Sequence, residues 1–525
     1  MTNITIKTNT STSITPYSLL LSFFLSLTLL AIVQFSTPNI AGYDGYYHIK
    51  IAEQMRDNGV PLAFENLPLT IIDKERYLDM HMLFHVFQIP FTYLDNLVTA
   101  AKLSAVVFAA FAFLIIAVYL ATNGYIYLFT VPLFLLASSS GFLYRIEMPR
   151  AQIFGLLFMV VAAHVVQHRK AFALGFLTMV FVWTYKGFPI LFPVFGVGII
   201  MHMAINRSIE VKMIVAGIVG LAAGLVINPY FPNNVNFLWD DLVLKIFSHS
   251  YKTVVGTEWY KYDTGELIES CGFALVLYIM GIFWTNREQW RQDYARLLWF
   301  VLSTLWLIML FKSKRFVEYF PPSAVIFFLL CLRSEAKRIG TIKTKILRFR
   351  YGFAINFALG GIAAASLITL TILNMIAVSK EIDSELSPGA WKGGALWLAR
   401  NTEPGSMVFH TDWDDFPMLY HYNASNHYIV GLDPDYLYSE NPELFDLWSE
   451  ISIGEIENPS HMINHRFKAS FVISDRYHDD FLEQAYRDPL MVERFKDAHS
   501  TVFEIVPPKA QVPVGRSTGS LKLPF

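Results

Sequence analysis

Eleven apolar runs, most of them about as long as a membrane is thick, constrain this chain more than any other feature of its sequence. A helix needs roughly 20 apolar residues to cross a hydrocarbon core of ~30 Å. Backbone groups in lipid must be bonded internally, so each run is predicted to be a helix. Only 16% of the 525 residues are charged, against about 25% in soluble proteins. The runs lie at about 17–36, 97–121, 124–140, 151–167, 171–187, 188–205, 211–228, 268–284, 295–311, 316–332 and 351–378. The sequence therefore predicts a polytopic α-helical membrane protein with about 11 transmembrane helices.

Basic residues in the short loops predict the orientation. They concentrate at 168–170, 206–212, 285–296 and, most strongly, 333–350, and such residues are enriched on the cytoplasmic side. This places the N-terminus in the cytoplasm and everything after residue 378 outside, in the inner (cytoplasmic) membrane. The net charge of -2 argues against a nucleic-acid partner, which favours a basic surface.

The same map divides the chain into two predicted domains. Residues 1–378 form the transmembrane domain, with outer loops at 37–96 and 229–267. Residues 379–525 are far more polar and long enough to fold alone. Within them, 391–400 is predicted to be a helix, 406–410, 427–430 and 469–473 are predicted strands, and 507–525 is a loose end. Short strands alternating with helices indicate a soluble α/β domain.

Asp44 and His48 follow the first membrane helix directly. They are four residues apart, so a helix starting here would carry both on one face. A carboxylate and an imidazole so placed can hold a divalent cation, or act as a base and its partner. Asp44 can equally be the N-cap of this helix. The spacing leaves both roles open.

A family resemblance begins at these residues. The stretch Asp-Gly-Tyr-Tyr-His-Ile-Lys, residues 44–50, resembles the Asp-Pro-Tyr-Tyr-His-Leu-Arg signature of oligosaccharyltransferase catalytic subunits, which belong to the GT-C superfamily of membrane glycosyltransferases. The resemblance implies a long first outer loop with an essential aspartate, many helices, and an outer C-terminal domain. It also implies that Asp44 is a catalytic or metal-binding carboxylate, with Mn²⁺ or Mg²⁺ as the cation.

The next outer loop carries Glu147 between Arg145 and Arg150. The family places a paired acidic motif here, whereas this chain supplies one acid. The resemblance therefore implies Glu147 as a second catalytic residue and a metal set of Asp44, His48 and Glu147. The arginines suit a phosphate or pyrophosphate through bidentate hydrogen bonds. The alternative is an ion cluster that anchors helix ends at the interface.

Arg315 lies in a cation-rich outer loop with Glu318 nearby, against the usual charge bias. Arg-Phe before a membrane helix resembles an arginine-bearing helix start in oligosaccharyltransferases, so Arg315 is predicted to bind phosphate. Its alternative is simple snorkelling. By the same resemblance Glu258 is a candidate for a glutamate that closes over substrate. Three residues of the first loop fit either a supporting role or a helix start: Asp79, His81 and His85.

Trp413 and Asp414 follow a predicted strand of the tail. Their setting resembles the Trp-Trp-Asp-Tyr-Gly motif of oligosaccharyltransferases, although only these two residues match it. The resemblance implies acceptor binding by Trp413 and Asp414. The alternative is a loop whose acids cap the next helix.

Together these features predict an inverting GT-C glycosyltransferase. It would move a sugar or glycan from a polyprenyl-phosphate or -pyrophosphate carrier, within membrane lipid, to an acceptor peptide, polysaccharide or lipid on the outer face. The alternative is a multi-pass transporter or flippase of a lipid-linked or small polar substrate. Transporters place charged groups at mid-membrane and use repeated halves, whereas these spans are nearly free of acids and no halves repeat.

Overall fold

A computed structural model describes residues 16–73, 75–239, 256–285, 293–346 and 352–506. Most of the predicted loop at 229–267, parts of the basic segments at 285–296 and 333–350, and the predicted loose end at 507–525 lie outside the described residues.

The described residues up to 383 are mostly helical, with short 3₁₀ turns between some helices. Its helices are α1 Pro16–Gln34, α2 Asp44–Asn58, α3 Met82–Gln88, α4 Leu97–Thr122, α5 Val131–Ser138, α6 Ser140–Glu147, α7 Gln152–Gln167, α8 Ala171–Thr184, α9 Leu191–Asn206, α10 Val211–Val226, α11 Asn233–Leu238, α12 Thr264–Trp284, α13 Tyr294–Leu310, α14 Phe320–Ile346 and α15 Gly352–Asp383.

Within the described residues, six helical segments are long and apolar enough to cross a membrane, or seven if one bent pair counts as a span. The six are Pro16–Gln34, Leu97–Thr122, Phe188–Ile205, Thr264–Trp284, Lys314–Arg333 and Ala358–Asp383. Four further predicted spans are the shorter apolar helices α7, α8, α10 and α13. At 1.5 Å per residue these reach about 21–26 Å, less than the hydrocarbon core. The protein is multi-pass, and the count of eleven is not confirmed.

The bent pair, α5 and α6, turns by 102°. The break is at Ser139, whose backbone is extended and whose hydroxyl accepts a hydrogen bond from the Phe142 amide at 3.0 Å. This side-chain cap starts α6 in a new direction. As a result, α6 carries Arg145 and Glu147 into the protein interior, where both are buried.

The C-terminal region is a small α/β unit, as predicted, although the 379–525 boundary stays a prediction. Helix α16, Lys392–Asn401, precedes strand β1, Met407–His410, and the sheet order is β2-β1-β3-β5-β4. Strands β2, β1 and β3 are parallel, while β5 pairs antiparallel with β3 and β4. The other elements are α17 Phe416–Tyr422, β2 His427–Tyr428, α18 Asp435–Glu440, α19 Pro442–Ser452, α20 Ser460–Phe467, β3 Phe471–Asp475, α21 Asp479–Arg487, β4 Met491–Lys496 and β5 Ser500–Ile505.

The segment at 59–81, between α2 and α3, docks this unit onto the membrane helices. The Asn66 side chain donates to the carbonyls of Ala424 and Asn426, both at 2.8 Å, and the Asn66 main-chain carbonyl accepts from the Tyr428 amide. Helix α17 packs on α2, where the rings of Tyr47 and Tyr420 lie 5.7 Å apart. Because these contacts are buried, the loop after β1 is fixed against the start of α2.

Candidate active site

Asp44 is the first residue of α2 and forms an ion pair with Arg150. The Arg150 Nη2 and Asp44 Oδ2 atoms are 2.8 Å apart, and both side chains are about a fifth exposed. The helix cap is Tyr43, with no capping side-chain hydrogen bond, so the N-cap alternative for Asp44 is wrong. The carboxylate is directed to a guanidinium, and it retains a second oxygen for another partner.

Gly45 allows the start of α2 to lie close to Pro149, and this close packing positions the ion pair. A β-carbon at Gly45 would lie 2.3 Å from the Pro149 Cγ and 3.1 Å from the Ile40 Cγ2. A contact under about 3 Å forces one of the two segments to move. Glycine therefore brings the start of α2 against Pro149, which immediately precedes Arg150.

We expect Gly45→Ala to weaken the Asp44–Arg150 pair by separating these segments. Overpacking of this kind costs about 1–3 kcal/mol, and a displacement of about 1 Å at a reacting group can cost 10²-fold in rate. The thermal midpoint and the turnover described below should both fall. Gly265→Ala is the matched control, because no atom lies within 4 Å of its added carbon. Equal behaviour of the two variants would contradict this packing argument.

Arg145 lies at the centre of a buried charge network. Its Nε donates to Glu318 Oε1 at 2.8 Å, and its terminal nitrogens pair with Glu258 and again with Glu318. Glu258 also accepts from Arg315 Nη1 at 2.9 Å. Burial opposes ionisation of Glu258, but Arg315 and Arg145 outweigh it and hold the pKa of that carboxyl below its usual range. One ionised carboxylate thus joins two predicted phosphate-binding arginines.

Arg315 is held on two further sides. Its guanidinium lies 4.7 Å from the centre of the Trp259 ring, and its Nη2 lies 3.3 Å from the Tyr185 hydroxyl. The Tyr185 ring stacks on His81 at 5.5 Å. Nothing in the sequence marks Tyr185 as a site residue except its position between two apolar helices. The ring and the ion pair together fix the guanidinium, as a preorganised anion site requires.

Arg150 couples its ion pair with Asp44 electrostatically to the network of Arg145, Glu258 and Arg315. Its charge lowers the pKa of Glu258, alongside Arg315 and Arg145, and also acts on His48 and His81. The structure therefore brings together residues from separate segments of the sequence. Those named from the sequence include Asp44, Arg145, Arg150, Arg315 and Glu258.

The loop after β1 completes this site from the C-terminal side. Residues Trp413–Asp415 form a 3₁₀ turn in which the Asp412 side chain accepts from the Asp414 amide at 3.0 Å. Burial, then Asp44 and Asp412, raise the pKa of Asp414 to about 7. An acid does cap a short helix here, as the alternative held, and that acid is Asp412. Asp414 meanwhile lies within electrostatic reach of Asp44.

The raised pKa of Asp414 predicts a pH-dependent stability. The folded state keeps a proton that the unfolded chain releases near pH 3.8, so stability falls as pH rises towards 7 and stays lower above it. We expect Asp414→Asn to remove this cost, because the amide does not ionise. The gain should be only about 1 kcal/mol, because the carboxyl is partly exposed and solvent screens its charge.

The measurement is the thermal midpoint in detergent at pH 5 and pH 8, where the gain of Asp414→Asn over the parent should be larger at pH 8. Glu483→Gln, at an exposed ion pair with Arg487, serves as the control and should change little at either pH. A gain that shrinks from pH 5 to pH 8 would be the wrong sign for a raised pKa.

The predicted metal set does not assemble. Among the described residues, no group of three His, Cys, Asp or Glu side chains is placed to hold a metal ion. His48 uses its Nδ1 to bond His85 at 2.7 Å. The Glu147 carboxylate is buried without a hydrogen-bond partner in the described part of the chain, and Lys102 is the charge that acts on it. Asp44, His48 and Glu147 therefore do not fit a shared Mn²⁺ or Mg²⁺, and the catalytic role of Glu147 stays a prediction.

Sequence reasoning left open the roles of Asp79, His81 and His85. The structure shows the helix start: His81 precedes α3, and the Asp79 carboxylate accepts from the His81 amide at 2.8 Å. Their support of the site stays a prediction. The other Asp79 oxygen lies 2.6 Å from His85 Nδ1. Their spacing fits a helix start, but nothing in it shows that His85 also reaches His48.

No protein-family model matches the sequence, and no curated protein sequence matches it. Similar solved structures include the archaeal oligosaccharyltransferase AglB from Archaeoglobus fulgidus in complex with an inhibitory peptide and a dolichol-phosphate, with a TM-score of 0.61 and 12% identity over 95% of this chain and 75% of that one. The Archaeoglobus fulgidus oligosaccharyltransferase tethered through a disulfide bond to an acceptor peptide with the NVT sequon has a TM-score of 0.60 and 12% identity over 95% of this chain and 76% of that one.

ArnT from Cupriavidus metallidurans bound to undecaprenyl phosphate is also similar, with a TM-score of 0.55 and 14% identity over 94% of this chain and 99% of that one. The fold of this chain is therefore similar to that of these GT-C glycosyltransferases, which confirms the distant resemblance at the level of the fold. It is a multi-pass membrane protein similar in structure to AglB and ArnT.

Proposed function

We propose that this protein is a glycosyltransferase that moves a sugar or glycan from a polyprenyl-phosphate or -pyrophosphate carrier to an acceptor on the outer face of the inner membrane. The observation that carries the proposal is the Asp44–Arg150 ion pair, which lies between a buried arginine network and the Trp413–Asp414 turn. The AglB and ArnT structures named above hold dolichol-phosphate and undecaprenyl phosphate, which supports a carrier of this class.

Arg145, Arg150 and Arg315 form the phosphate side of the proposed site. Each is already oriented by a carboxylate, with Glu258 shared between Arg145 and Arg315. A lipid phosphate that leaves the sugar gains negative charge, and fixed guanidinium groups stabilise that charge without reorganising. The donor carries its own leaving group, so the protein needs no acid for that half of the reaction.

Asp44, Trp413 and Asp414 form the acceptor side. One Asp44 oxygen pairs with Arg150, and the second can accept a hydrogen bond from the incoming nucleophile. Asp414 and Trp413 offer a carboxyl and a partly exposed ring beside it. An acceptor bound here would face the donor across Asp44, and one direct displacement would invert the anomeric centre. No divalent cation enters this reaction scheme, because the predicted ligands do not fit one.

The test is release of the free carrier lipid. The purified protein in lipid nanodiscs is incubated with the lipid-linked glycan pool extracted from membranes of the source organism, and polyprenyl phosphate or pyrophosphate is quantified by mass spectrometry. Enzyme-dependent loss of the glycan from the lipid supports the transferase. Movement of intact lipid-linked glycan across the bilayer of proteoliposomes, with no release of the carrier, would instead favour the flippase.

A further inference from the structure

The first outer loop contains a buried chain of three polar side chains that the phosphate site does not use. Asp79 Oδ2 lies 2.6 Å from His85 Nδ1, and His85 Nε2 lies 2.7 Å from His48 Nδ1. The three residues are at most 5% exposed. Buried hydrogen bonds of this length fix both rings, so the chain has a defined direction.

The protons of this chain can be assigned from its acidic end. A carboxylate only accepts, so His85 carries its proton on Nδ1 and presents a lone pair on Nε2. His48 then donates from Nδ1, which leaves its Nε2 as the unprotonated nitrogen. Within the described residues, that Nε2 has no hydrogen-bond partner in the structure. The relay thus ends on a free basic nitrogen.

This free nitrogen belongs to the same site as Asp44. His48 lies one helical turn after Asp44 on α2, its ring is 5.5 Å from His81, and the charge of Arg150 acts on it. The His48 Nδ1–H donates to His85 at 2.7 Å, so in the neutral ring Nε2 carries the lone pair that can take a proton.

We infer that His48 is the general base of the transfer reaction, positioned by His85 and Asp79, and that the acceptor is a hydroxyl group. The inference rests on the proposed function. The acceptor oxygen attacks the anomeric carbon and forms the new C–O bond, while the bond from that carbon to the phosphate oxygen breaks and the phosphate keeps the electron pair. The acceptor proton passes to His48 Nε2. A hydroxyl must lose this proton, which explains why a base with its own orienting pair is present.

The positive charge on His48 then lies at the end of a chain that terminates in a carboxylate. Asp79 stabilises the imidazolium through His85, in the way that a buried aspartate supports a catalytic histidine through its other ring nitrogen. His85 and Asp79 are positioning residues, since neither reaches the acceptor. Asp44 keeps its role of orienting the acceptor, and the proton no longer needs to go to a carboxylate that already pairs with Arg150.

The experiment measures turnover of the lipid-linked glycan pool, with water as the attacking hydroxyl, by release of the carrier lipid. We expect His48→Ala to lower kcat by about 10²–10⁴-fold, with the KM for the donor unchanged because the arginines are intact. Free imidazole should restore part of the rate of His48→Ala. Asp79→Asn should lower kcat at least about tenfold and should not respond to imidazole.

Two further variants protect the test from a folding artefact. His48→Asn keeps an N–H group near the position of Nδ1 for His85 but offers no basic nitrogen, so it should fold and remain slow. His202→Asn is the control, because His202 is a buried histidine on α9 whose Nε2 bonds the Val166 carbonyl at 2.9 Å, and it should keep full turnover. If the parent protein is active and His48→Asn turns over within about threefold of it, the relay is wrong while the transferase stands. If the parent releases no carrier lipid, the transferase fails, and this inference fails with it.

Discussion

Asp44→Asn should reduce carrier-lipid release by about 10²–10³-fold, the range in which removal of one essential polar group from a reaction site falls. The amide has nearly the shape of the carboxylate, so folding should be preserved. It lacks the charge that pairs with Arg150 at 2.8 Å. The single oxygen of the amide cannot serve both Arg150 and the acceptor, so the variant loses one of these two hydrogen bonds together with the charge that fixes a phosphate-binding arginine.

The measurement is the initial rate at saturating donor, together with binding of undecaprenyl phosphate by the same variant. Because Arg145 and Arg315 remain held by Glu258, binding should weaken far less than turnover. Asp57→Asn is a suitable control, since it also removes a carboxylate from the end of α2, where Asp57 pairs with Arg56 in solvent. A turnover of Asp44→Asn close to that of Asp57→Asn would remove the centre of the proposed mechanism.

Arg145→Met should cause the largest loss of stability of any single substitution in the site, about 3–5 kcal/mol. Arg145 is 8% exposed and serves two carboxylates, one of which, Glu318, is 4% exposed. Removing the cation leaves an uncompensated buried charge, which costs more than the pair contributed. The free energy of unfolding in detergent, from denaturant titration, measures the effect.

Two companion variants separate this explanation from a simple loss of packing. Arg145→Met combined with Glu318→Gln should recover part of the stability, because it removes the stranded charge. Arg76→Met is the exposed control: Arg76 pairs with Asp73 and Glu440 but is 45% exposed, so its loss should cost at most about 1 kcal/mol. A double variant no more stable than Arg145→Met would show that the buried charge is not the cause.

The sequence predicted local structure best where the signal is long or continuous. The helix at 392–401 and strands β1 and β3 lie where apolar patterning placed them. Strands β4 and β5 were not predicted. Most side chains of β4 are exposed or half-buried, so no apolar run marks it. It is a strand because β5 pairs with it, and such pairing is decided outside the segment.

The charged residues of the site show the same division. Their loop positions and neighbouring motifs identified Arg145, Arg150 and Arg315 individually as candidate phosphate-binding residues. The sequence could not show that Arg145 and Arg315, 170 positions apart, share Glu258. Nor could it show that His48 bonds His85 and does not join Asp44 and Glu147 in a metal site. The partner of a side chain depends on what packs against it.

The sequence by itself therefore determined that this is a membrane protein, that a polar α/β region follows its helices, and that an aspartate at the start of α2 carries the resemblance to GT-C enzymes. These properties follow from hydropathy and short motifs, which act over one to twenty residues. Tertiary structure alone decided the bend at Ser139, the approach of Asp414 to within electrostatic reach of Asp44, and the relay from Asp79 to His48. Each of these depends on burial and on contacts between distant segments, and burial sets which charges meet and which nitrogen remains free.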